Sequence, residues 1–207
     1  MTRFLFTLAL LASLAGCATP DKPVRGALYD FGPGPATPPP VTQQTLLPLV
    51  LAEINASAAF DGSAVLYRLG YADAHQLRPY AQARWSAPPA QLIRQRLREQ
   101  LARERTVLDL GESAALARNG GGMPRVLRIE LEEFSHFFDS PSQSWGLLRL
   151  RATLMENTPA GEKLLAQRSL VIRRPAPTAD APGGVRALAA STDAAADEIG
   201  QWLLQAR

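Results

Sequence analysis

The one thiol in the chain is Cys17, and it follows Leu14-Ala15-Gly16 at the end of an apolar run. Small Ala15 and Gly16 suit a signal-peptidase cleft ahead of the scissile bond, and a cysteine thiolate is the soft nucleophile that takes up a diacylglycerol as a thioether. Arg3 supplies a charged n-region and Phe4 through Ala15 an apolar h-region, long enough for export but short of the ~20 apolar residues of a membrane-spanning helix. The spacing predicts a signal peptide over 1–16 and a mature chain beginning at an acylated Cys17. The competing reading is an ordinary signal peptide with an incidental cysteine, or a buried structural cysteine acting as a small hydrophobe. A triacylated cysteine anchors permanently, at ~0.8 kcal/mol per buried CH₂, where a single acyl chain holds only marginally. Ala18, where an aspartate would retain the protein in the inner membrane, predicts sorting to the outer membrane, facing the periplasm. With no second cysteine there is no intrachain disulfide, so core packing alone must hold the domain.

Other reactive side chains do not assemble into a recognisable catalyst. His75 and His136 are the only histidines, and CxxC, HExxH and DxDxDG spacings are absent, so no metal or other cofactor is expected. His136 lies beside Ser135, Asp139 and Ser140, and a lipid-anchored hydrolase would have to join it to a serine and an acid. A triad is set by geometry and not by adjacency, no G-x-S-x-G elbow occurs, and the position beside Phe137 and Phe138 reads as a polar loop residue. Glu130, Glu132 and Glu133 alternate with hydrophobes and are expected to face solvent. Gly120-Gly121-Gly122 lacks the strand and helix that flank a phosphate loop and reads as a flexible loop. Lys and Arg number 22 against 19 Asp and Glu. The richest basic stretch, Arg94, Arg96, Arg98, Arg103 and Arg105, is broken by Glu99 and Glu104, so a solvated helix face is expected and nucleic-acid binding is not.

Function is then left to apolar and aromatic groups: Trp85, the Phe134, Phe137 and Phe138 group, Trp145 and Trp202. Several elements must position them. Residues 18–45 are rich in Pro, Gly and Thr and are interrupted by Leu28-Tyr29-Asp30-Phe31, which reads as a tether, a short edge strand and a stiff linker. The tether from Ala18 to Ala27 reaches at most ~35 Å when extended. Strand patterns follow over 46–54 and 64–69, with Asp61-Gly62 turning between them and Pro48 confined to a strand start or an edge. Tyr80 to Trp85 alternates and stops before Pro88-Pro89, which open a helix carrying Leu92, Ile93, Leu97 and Leu101 on one stripe. A short strand is expected over 106–110.

Leu127, Ile129 and Leu131 alternate with Arg128, Glu130 and Glu132, and the phase slips after Glu132, so a bulge or strand end is required before Phe134. Leu148, Leu150, Ala152 and Leu154 form the inward set of the next strand, and Asn157 to Gly161 turns it into a third over 163–173. Val185, Leu188, Thr192, Ala195, Ile199 and Trp202 then mark a second long helix. The pattern predicts an α+β two-layer sandwich: a largely antiparallel or mixed sheet with two long helices on one face. The expected division is a signal peptide at 1–16, a lipidated tether and Pro-rich linker with a short edge strand at 17–44, and one domain over 45–207.

Leu28-Tyr29-Asp30-Phe31, Val65-Leu66-Tyr67-Arg68, Tyr80 through Arg84-Trp85-Ser86-Ala87-Pro88-Pro89 and Val185-Arg186-Ala187-Leu188, behind a lipobox, resemble the ABC-type transport auxiliary lipoprotein family. That family includes the lipoprotein of the paraquat-inducible system. The resemblance implies a non-enzymatic outer-membrane component of a lipid-trafficking system, encoded with MCE-domain proteins and an ABC permease and ATPase. Its acyl chains would sit in the inner leaflet of the outer membrane while the folded part docks a periplasmic MCE assembly. Ring-shaped oligomers in the paraquat-inducible relative extend the expectation to a homo-oligomer. Arg84 and Trp85 match the family motif and, with Phe134, Phe137 and Phe138, are the candidate partner-contact residues, Arg84 and Trp85 being structural first. The alternative is a lipoprotein that assembles an outer-membrane barrel or activates a cell-wall synthase.

Overall fold

A computed structural model describes residues 26–34, 46–113, 123–158 and 160–206. The expected signal peptide, Cys17, most of the expected tether and linker, and the Gly120-Gly121-Gly122 segment expected as a loop lie outside the described residues.

Three long strands form the backbone of the fold: β7 (Arg125–Phe138), β8 (Ser144–Thr158) and β9 (Gly161–Pro175) pair as an antiparallel meander. The expected bulge is present, with Leu131 opposite Leu150 and Glu133 opposite Arg149, leaving Glu132 as the extra residue. The other edge of β7 is covered by a single interrupted run of chain. β2 (Leu46–Leu51), β3 (Asn55–Ala56) and β4 (Ala64–Leu69) each pair with it in parallel, through Leu49 with Arg125, Asn55 with Glu130 and Tyr67 with His136. A 3-10 turn at Ala58–Phe60 and the Asp61-Gly62 bend absorb the surplus residues before β4. Pro48 lies in the irregular part of β2, and pairing with β7 starts just after it at Leu49.

Beyond this run the sheet forks. β6 (Arg105–Leu108) adds in parallel to β2. At the far end a one-turn helix, α1 (Gly70–Asp73), leads into β5 (Ala74–Trp85), which is antiparallel to β4 and takes β1 (Ala27–Tyr29) in parallel on its outer edge. The result is a mixed, open sheet of nine strands.

Two long helices cover one face: α2 (Pro89–Leu101), with proline in its first turn, and α3 (Ala181–Gln205), whose N-cap Asp180 accepts the Gly183 N–H at 2.8 Å. Leu92, Ile93, Leu97 and Leu101 of α2 and Val185, Leu188, Ala195, Ile199 and Trp202 of α3 meet Leu127, Ile129, Leu131, Leu148, Leu150 and Leu154 in one core. Each of the large side chains contributes roughly 1.5–3 kcal/mol on burial. Close approach of α3 depends on Gly146, where a Cβ would lie 2.4 Å from the Ala187 carbonyl carbon; the Ser191 hydroxyl instead donates to the Gly146 carbonyl at 2.8 Å.

The segment 26–34 closes the structure as a clasp. Phe31 packs edge-on to Trp85 with ring centres 5.5 Å apart and lies 6.1 Å from Phe134. The Arg96 guanidinium donates to the Phe31 carbonyl and pairs with Asp193 of α3 at 3.5 Å.

Candidate functional site

Strand alternation divides the singled-out residues between two surfaces. On the helix side, past the bulge, lie Phe134, His136 and Phe138. Phe134 and Trp85 are each 1% exposed and sit 5.6 Å apart, with Phe31 completing the cluster. Phe138 is also buried, 4.3 Å from the His136 ring and 6.2 Å from Tyr67. Of the five candidate contact residues, only exposed Arg84 and partly exposed Phe137 reach the surface of this chain.

His136 is not the polar loop residue the sequence suggested. It is a strand residue with 0% exposure, and its Nδ1 is 2.8 Å from the Tyr80 hydroxyl. Gly184 at the start of α3 leaves room for the ring, since a Cβ there would come within 2.4 Å of Nδ1. Burial pushes the imidazole down from 6.5 to about 4, against a weaker opposing pull from Asp180, and burial likewise pushes the Tyr80 phenol up. Ser135 is buried too, but alternation turns it to the opposite face, and its hydroxyl has no partner among the described residues. Asp139 is exposed and engaged elsewhere. The sheet itself thus separates Ser135 from His136, Asp139 is held by Trp145 and Arg173, and the Ser140 hydroxyl oxygen accepts the Gln143 backbone N–H at 3.1 Å. The signal for a strand position was present: Phe134, His136 and Phe138 share one phase once the bulge is placed.

On the side away from the helices, the middle of the sheet carries a charge ladder. Arg151 reaches Glu132 at 2.7 Å and Glu130 at 3.5 Å, Arg149 reaches Glu132 at 3.1 Å, and Arg68 grips Glu133 through two contacts at 3.0 and 3.1 Å. The glutamates expected to face solvent are therefore all ion-paired. The ladder ends at an aromatic corner. Phe137 is opposite Trp145 in the register, the Trp145 indole N–H donates to Asp139, and Arg173 also donates to Asp139, at 3.1 Å. The same guanidinium lies 5.6 Å from the Phe137 ring centre and 5.3 Å from that of Trp145. Beside it runs a shallow groove of about 330 Å³ floored by Phe137, Leu147 and Val171, with Glu133, Asp139, Arg149 and Arg173 around it. Val171 is 61% exposed.

Aromatic rings with a fixed arginine, around an apolar floor and inside a polar rim, are the composition of a protein contact surface. The sequence pointed to Phe137 and Trp145 here but not to Arg173, which the cross-strand register alone brings to them. Among the described residues no group of three or more His, Cys, Asp or Glu is placed to hold a metal, and no helix is long and apolar enough to cross a membrane.

The family model of the ABC-type transport auxiliary lipoprotein component matches residues 29–200. The chain belongs to that family. Two crystal structures share its fold: protein XCC0632 from Xanthomonas campestris, with a TM-score of 0.69, 18% identity and coverage of 87% of this chain and 96% of that one; and an uncharacterized protein with a TM-score of 0.61, 14% identity and coverage of 86% and 99%. No curated protein matches the chain. As a member of the auxiliary lipoprotein family the chain is an accessory to an ABC transport system, and the matched region takes in the clasp from Tyr29 onward, the whole meander, α2, and α3 as far as Gly200.

Proposed function

We propose that this auxiliary lipoprotein is the non-enzymatic docking component of an MCE-type intermembrane lipid transport system. Acyl groups on Cys17 seat it in the inner leaflet of the outer membrane, and its folded domain receives the periplasmic assembly formed with an MCE-domain protein and its ABC permease and ATPase. The observation that carries this reading is the family match across 29–200, which makes the chain part of a transport apparatus. The surface built from Phe137, Trp145 and Arg173 supports it, because a docking component acts by contact. The separation of Ser135 from His136 also favours docking over hydrolysis.

The test is crosslinking of the acylated protein in native envelopes, recovery through a C-terminal tag, and mass spectrometry of the partner and of co-purifying lipid. An MCE-domain protein supports the proposal. A barrel-assembly factor or cell-wall synthase in its place, with no MCE protein, overturns it.

A further inference from the structure

We infer that the free edge of β9 is a strand-addition site for an extended, acidic segment of a partner protein. The inference rests on the docking role proposed above and names the surface and chemistry of the contact. β9 pairs with β8 on one side and, among the described residues, with no strand on the other. The other outer strands, β1 and β6, have 3 and 4 residues, whereas β9 has 15. At ~3.3 Å per residue this is about 50 Å of backbone, with one row of N–H and C=O groups unpaired by any strand among the described residues.

An edge of that length templates pairing with another chain unless it is blunted. The blunting of β9 is concentrated at its ends. Leu165 is the extra residue of a bulge and Pro175 closes the strand, which leaves 166–174 regular. At its centre Ser169-Leu170-Val171-Ile172 carries no charge. Around that centre four of the five charges are positive, Lys163, Arg168, Arg173 and Arg174, against Glu162. Arg128 takes Glu162 at 2.6 Å, Asp139 holds Arg173, and Glu198 comes to 3.9 Å from Arg168. Lys163 and Arg174 are exposed and have no ion-pair partner among the described residues.

This distribution selects the occupant. Two copies joined edge to edge through β9 would set cation against cation, and like charges facing each other across a strand pair destabilise it. A strand with acidic residues meets the same cations favourably. Alternate side chains of an added strand would fall beside exposed Val171, extending the apolar floor of Phe137 and Leu147. The occupant is therefore a segment in which apolar and acidic residues alternate: main-chain bonding supplies affinity, and these side chains supply specificity.

Hydrogen exchange, read by mass spectrometry, tests this on the full acylated protein in neutral detergent micelles. The probes are two synthetic peptides of about nine residues, the length of the regular edge, one alternating Val and Glu and the other Val and Lys. The Val-Glu peptide is expected to slow exchange over 166–174, and Arg168→Glu with Arg174→Glu, both within that edge, is expected to weaken it about tenfold. Both substituted side chains are exposed, so the fold is retained. Equal protection by the Val-Lys peptide, protection by neither, or concentration-dependent protection of β9 by the protein alone overturns the inference. Recovery of an MCE-domain partner that leaves β9 unprotected ends the edge assignment and keeps the docking role. Protection by the Val-Glu peptide without any MCE partner does the reverse.

Discussion

Acidification is expected to destabilise the domain through His136. In the unfolded chain its imidazole titrates near 6.5; in the fold, burial holds it at about 4. Between these values the folded state binds fewer protons than the unfolded state, so stability is full above pH ~6.5 and falls as the pH drops toward 4. The gap of about 2.5, at ~1.36 kcal/mol for each unit, is worth roughly 3 kcal/mol in all, of which about 2 kcal/mol is lost between pH 7 and pH 5. The assay is urea denaturation of the Cys17→Ser protein at both pH values, beside a His136→Leu variant, which removes the titrating group while keeping the site apolar. The wild-type protein should lose about 2 kcal/mol more than the variant on going to pH 5. NMR titration of the ring supplies an independent reading, and with 2 histidines in the chain a His75→Gln variant is enough to assign it. An equal pH dependence in both proteins, or a His136 ring titrating at or above 6.5 in the fold, refutes the reasoning.

Three further outcomes are expected. Gly184→Ala drives a Cβ into the His136 ring and should cost about 1–3 kcal/mol despite the better helix propensity of alanine, with partial recovery in Gly184→Ala/His136→Ala; thermal melts measure both. Trp85→Ala should cost about 3–5 kcal/mol because its ring is sealed in the core, whereas Phe137→Ala should leave folding nearly intact and reduce partner crosslinking in envelopes; unfolding and pull-down on the same variants separate the two effects. Cys17→Ser should abolish incorporation of labelled palmitate and move the protein from the membrane fraction to the soluble periplasm, and retention in the membrane would end the lipid-anchor reading.

Legibility in the sequence followed the range of the interactions. Both long helices were readable because Leu92, Ile93, Leu97 and Leu101, and Val185, Leu188, Ala195 and Ile199, are local patterns, the first with a local start signal at Pro89. The meander was readable for the same reason, down to the slip at Glu132. Parallel pairing leaves no such trace. Nothing near Leu49, Asn55 or Tyr67 records that all three lie along β7, or that Ala27–Tyr29 joins β5, because those partners are distant in sequence. The aromatic corner was half readable. A hairpin across 139–143 sets Phe137 opposite Trp145, but Arg173 enters only through the register of a second hairpin. His136 was misplaced because a histidine between phenylalanines at the end of a pattern looks like a loop until the bulge restores its phase.

The clasp at 26–34 has a mechanical side. Any pull transmitted from ahead of Gly26 meets the three-residue β1–β5 pairing first and the Phe31 socket beside Trp85 next, before it reaches the main sheet. Under the proposed Cys17 anchor, the span between anchor and domain ends at Gly26 while both hold. If they yield, the residues up to Gly34 pay out and lengthen it by about 30 Å at ~3.4 Å each. Under that same proposed anchor, Trp85 and Arg96 would set how far the domain stands from the membrane, a core tryptophan and a helix arginine acting on reach as well as on folding.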